Sequence, residues 1–95
     1  DNEIIKTFKT ILVPKAEEFK PDFVIISAGF DSRTDDLLGC YNITDEGFKK
    51  LTQIVMKISN KFCEGKLMSV LEGGYNLEGN ASASLAHIKE LNNYI

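Results

Sequence analysis

Phe23-Val24-Ile25-Ile26-Ser27-Ala28 is a continuous apolar, β-branched run, and Gly29-Phe30-Asp31 follows it directly. Such a run is the mark of a strand buried on both faces of a parallel sheet. Before it, Ile5, Phe8, Leu12, Ala16 and Phe19 recur at helical spacing and share one face. Pro14 cannot donate to residue 10 and disfavours helix at Val13, so the spacing predicts a kink or restart there. Lys20-Pro21-Asp22 then stops the helix. After it, residues 29–43 show no clear period. Thr44-Asp45-Glu46 offers a capping hydroxyl and acids for a first helical turn. Phe48, Leu51, Val55, Ile58 and Phe62 form a regular stripe that Gly65 ends. Lys66 to Leu71 reads as a second strand. Glu72-Gly73-Gly74-Tyr75-Asn76 makes a tight connection into a last helix, whose expected stripe is Ala81, Leu85, Ile88 and Ile95, with Leu91 beside it.

The order is helix, strand, loop, helix, strand, turn, helix, which contains a βαβ unit with parallel strands. Two doubly buried strands leave two open edges and too little core to cover both faces. The strands are therefore expected to belong to a wider sheet rather than to a freestanding mini-domain. Asp1 is not methionine and the helical pattern begins almost at once, which fits a piece of a longer protein.

Composition narrows the function. The chain has 95 residues, 43% hydrophobic and 26% charged, as in ordinary globular proteins. Its net charge is −3 and its basic residues are scattered, which argues against direct nucleic-acid binding. The longest apolar runs are strand-sized, so no membrane span is expected, and no export leader opens the chain. Cys40 and Cys63 make no disulfide framework, so a reducing cytoplasmic setting is the default.

In open α/β sheets, ligands bind beyond the carboxyl ends of the strands. Asp31 and Tyr75 both follow strand ends, and the 29–43 connection exceeds the usual two to six residues. Asp31 reads either as a turn or capping aspartate or as a metal ligand. It has no second convincing ligand nearby: His87, the single histidine, falls within the last helix, and the cysteines lack C-x-x-C spacing. Glu72-Gly73-Gly74-Tyr75 reads as a glycine-permitted turn, or as backbone passing close to a ligand while Tyr75 presents its hydroxyl. A phosphate cradle fits poorly, because the run is not G-x-G-x-x-G and Glu72 would repel the anion. A phenol protonated at neutral pH can donate to a developing oxyanion.

Phe19-Lys20-Pro21-Asp22 through Ser27-Ala28-Gly29-Phe30-Asp31, then Asp36-Leu37-Leu38-Gly39, then Leu71-Glu72-Gly73-Gly74-Tyr75-Asn76-Leu77 resemble the C-terminal third of the zinc-dependent histone deacetylase superfamily. The style is that of class II-like and bacterial members, acetylpolyamine amidohydrolases included, and the resemblance covers essentially residues 1–95. It implies an α/β, three-layer αβα fold of the arginase/deacetylase type, with this chain as the C-terminal α-β-α-β-α portion of one catalytic domain. It implies that Asp31 is the third ligand of a zinc ion. Tyr75 would donate to the acetyl carbonyl oxygen, Leu38 would line the substrate tunnel, and Gly73 and Gly74 would border its floor. The implied substrate is an acetylated amine, on protein lysine or a polyamine, hydrolysed to acetate and free amine. Family members commonly have Pro where Leu37 stands and often Gly where Cys40 stands; both differences touch the loop rim. The family's Asp-x-His ligand pair and tandem histidines lie upstream of this segment, so the isolated chain is expected to be inactive. A competing expectation, from a different class, is a non-catalytic module for a small ligand or protein.

Overall fold

In the computed structural model, which describes residues 1–93, the helical and strand segments fall in the expected order. Helices α1 (Asn2–Thr7) and α2 (Val13–Phe19) are joined without a break by a π-helical segment, Phe8–Leu12. The wide turn is visible in its closing bond, from the Val13 N–H to the Phe8 carbonyl five residues back. Pro14 follows at once, in the first turn of α2, where its missing N–H costs least. The sequence predicts a kink or restart here, and the chain answers with one extra residue in the turn. That residue shifts the buried face. Phe8, Val13 and Ala16 are partly buried, whereas Leu12 is exposed and Phe19 is 81% exposed, so the expected Leu12 and Phe19 positions do not face inward. Lys20 then takes a left-handed conformation and donates to the Ala16 carbonyl, ending the helix before Pro21.

Strands β1 (Val24–Ala28) and β2 (Leu67–Leu71) pair in parallel, with Val24 opposite Leu67 and Ala28 opposite Leu71. Helix α3 (Asp45–Phe62) crosses between them. Thr44 caps it by accepting the Gly47 N–H, and Glu64 and Gly65, both at positive φ, turn the chain out of it. The Cys63 thiol also donates to the Pro21 carbonyl, tying this end of α3 to the entry of β1. Ala28, Phe30, Ile43, Phe48 and Ala83 make the packed centre, where the Phe30 and Phe48 rings meet edge to face at 5.1 Å. The strands are not covered on both faces: Ile25, Met68 and Val70 are exposed, while Val24, Ile26 and Leu67 are partly buried. Helices α1, α2 and α4 pack against α3. Ile26 and Ala28 join that core, while the strand face bearing Ile25, Met68 and Val70 is left uncovered by the described residues.

Helix α4 (Leu77–Leu91) departs from its expected face. Gly79, Ala83, His87 and Glu90 are buried, while Ala81, Leu85 and Ile88 face outward; Ile95 lies outside the described residues. Small residues permit close approach to the core, and His87 is accommodated because both ring nitrogens are satisfied. Its Nδ1 lies 2.8 Å from the Thr52 hydroxyl and its Nε2 lies 2.8 Å from the Ser69 hydroxyl. Thr52 already donates its single proton to the Phe48 carbonyl. Thr52 must therefore accept from Nδ1–H, and in the neutral ring that burial favours Nε2 accepts from Ser69. His87 thus joins α3, α4 and β2 as a neutral ring, and burial lowers its pKa.

Candidate active site

The strand ladder does not stop at Ala28 and Leu71. The Glu72 N–H donates to the Ala28 carbonyl, and the Phe30 N–H donates to the Gly73 carbonyl at 2.8 Å. The two departing turns therefore leave the sheet side by side. Asp31 and Tyr75 are brought together over Gly73: a β-carbon built there would lie 2.7 Å from Asp31 Oδ2 and 3.4 Å from the Tyr75 hydroxyl. A side chain at 73 would occupy the space these two groups share. Gly74 is at φ +146°, a conformation few side chains tolerate, and it swings the chain from the end of β2 into Tyr75. Leu38 sits on the 29–43 loop, 70% exposed, beside the segment that bears Asp31.

Two further clusters set the shape of this loop. Asp36 accepts from the Leu38 and Gly39 amides through Oδ2 and from the Tyr75 amide through Oδ1, at 2.8–2.9 Å. Desolvation raises its pKa, but the amides of Tyr75, Gly39, Leu38 and Asn76 outweigh that and hold the carboxyl below the ordinary range. Arg33 grips Asp45 at the start of α3 with two bonds, 2.8 and 3.1 Å, and also pairs with Asp35. Asp45 accepts in turn from Ser82 of α4, and its pKa is lowered chiefly by Arg33. Sequence reading misses both hubs. The available signal was Asp-Asp-Leu-Leu-Gly at 35–39, where an aspartate precedes amides it can cap two and three residues on.

Asp31 can contribute one carboxylate to a metal, and the glycine at 73 leaves its oxygen clear for one. No group of three or more His, Cys, Asp or Glu residues able to hold a metal occurs among the described residues, and His87 is committed to Thr52 and Ser69. The family model described as "Histone deacetylase domain" matches residues 1–91.

The chain belongs to the histone deacetylase family.

It is 43% identical over 91 residues to Histone deacetylase 15 of Arabidopsis thaliana, covering 96% of this chain and 16% of that protein. It is 36% identical over 91 residues to Histone deacetylase clr3 of Schizosaccharomyces pombe, covering 96% of this chain and 13% of the relative. The solved structure of the HDA15 HD domain matches with a TM-score of 0.83 at 43% identity, over 93% of this chain and 24% of that one. The histone deacetylase Clr3 also gives a TM-score of 0.83, at 37% identity, over 92% and 14%. The chain thus spans a quarter or less of each of these histone deacetylases, and its α/β architecture is theirs.

Proposed function

We propose that this chain is the C-terminal part of a zinc-dependent deacetylase domain that hydrolyses the amide of acetylated lysine or an acetylated polyamine. The observation that carries the reading is the meeting of Asp31 Oδ2 and the Tyr75 hydroxyl over the bare backbone of Gly73. Family membership supplies the context. Asp31 would be one zinc ligand, with the others contributed by upstream sequence. A zinc ion there supplies a Lewis acid for the amide carbonyl and an activated water. Tyr75 holds its proton toward the acetyl oxygen and donates to the negative charge that develops there. Leu38 lines the approach of the acyl arm, and Gly73 and Gly74 keep its floor low. The cytoplasmic setting read from the cysteines belongs to the same proposal.

The test uses the complete parent protein. Asp31→Ala removes bound zinc and activity together. Tyr75→Phe keeps zinc and lowers kcat about 10²–10³-fold, the loss expected for one oxyanion donor. Full activity in Tyr75→Phe overturns the reading.

A further inference from the structure

We infer that Asp36 is a positioning residue for Tyr75: its carboxylate sets where the phenol stands relative to Asp31. The inference rests on the proposed role of Tyr75 and goes beyond it. Tyr75 follows Gly73 and Gly74, two successive residues of the least restrained backbone type, so the polypeptide alone does little to fix it. What fixes it is a bond from across the sheet end. The Tyr75 amide donates to Asp36 Oδ1 at 2.8 Å, over a sequence separation of 39 residues. The other oxygen is not idle. Oδ2 holds the Leu38 and Gly39 amides at 2.9 and 2.8 Å, and Gly39 lies so close to Asp31 that a β-carbon on it would overlap the Asp31 carbonyl oxygen.

One carboxylate therefore spans the turn that bears the phenol and the loop that bears the proposed metal ligand. The neighbouring Asn76 side chain repeats the link by donating to the Asp35 carbonyl at 3.0 Å, so the two loops are doubly stitched. Only the Asp36 stitch ends on Tyr75 itself. Asp36 does not face the reacting atoms through its carboxylate, whose oxygens are taken by amides. Its effect must pass through the placement of another group. A displacement of about 1 Å at a catalytic group is enough to cost on the order of 10²-fold in rate.

A double-mutant cycle in the complete parent protein decides the point, with Asp36→Ala, Tyr75→Phe and the double variant compared for kcat, KM and zinc content. The expected result is that Asp36→Ala lowers kcat about 10²-fold, keeps zinc at wild-type stoichiometry and moves KM far less than kcat. The double variant should be no slower than Tyr75→Phe alone, because a misplaced phenol and an absent one are lost only once. Should Asp36→Ala not accumulate as folded protein, Asp36→Asn, which retains one acceptor oxygen, enters the same cycle with a smaller first step. The inference is overturned if the Asp36 variant keeps full kcat, if it sheds zinc, or if its loss multiplies with that of Tyr75→Phe. Full activity in Tyr75→Phe alone instead overturns the role of the phenol, and this inference with it.

Discussion

His87 illustrates what single residues do here. It is a titratable ring in the packed interior, hydrogen-bonded to Thr52 on one nitrogen and to Ser69 on the other. Its folded pKa lies below its unfolded value because burial penalises the charged form. Protonation then favours the unfolded state, so its contribution is complete above about pH 6.5 and fades as the pH falls. Thermal melts of the parent domain between pH 8 and 5 should show a decline that His87→Gln flattens. That variant should also cost about 1–3 kcal/mol near neutral pH, because a buried hydroxyl loses its partner. The convergence of Asp31 and Tyr75 is legible in the sequence because each follows a recognisable strand end. Asp36 is not, because its role depends on an amide 39 residues away, and no local pattern encodes that meeting.

At the level of elements, local chemistry decides the caps and stops, and packing decides the buried faces. Thr44 was legible as a cap because a hydroxyl before a run of acids solves the orphan-amide problem within one turn. The buried face of α4 was not, since hydropathy points to Leu85 and Ile88, while close packing selected Ala83 and His87. The π segment was half legible: Pro14 announced a disturbance, but nothing local says that it is resolved by inserting a residue. Asn76 joins these concerns, since it caps α4 by accepting the Gly79 N–H at 3.0 Å and also donates to the Asp35 carbonyl. Asn76→Ala should cost about 1 kcal/mol in the chemical denaturation of the parent domain. Asn76→Asp, which keeps the accepting oxygen but cannot donate to Asp35, should recover most of that cap energy.

For the molecule as a whole, the two strands carry more apolar surface than the described residues cover. Phe23 and Ile25 are 50% and 62% exposed, and Met68 and Val70 stand beside them. The expectation of strands buried on both faces fails here for want of a second layer, and the expectation of a wider sheet accounts for the shortfall. With one candidate zinc ligand among the described residues, the isolated chain should give no saturable tight binding in a calorimetric zinc titration. Its unfolding in urea should be shallow and weakly cooperative. Stoichiometric tight binding by the isolated chain would refute the assignment of the remaining ligands to upstream sequence. The pairing of Ala28 with Leu71 has a last implication. Since each strand advances about 3.3 Å per residue and alternates its faces, the ladder works as a ruler for the chemistry. A single-residue deletion inside β1 would leave a parallel pair that still zips, yet would retract Asp31 by one notch and turn it away from the phenol. Insertions and deletions within these ten residues should therefore abolish the deacetylase activity proposed for the complete protein long before they unfold it.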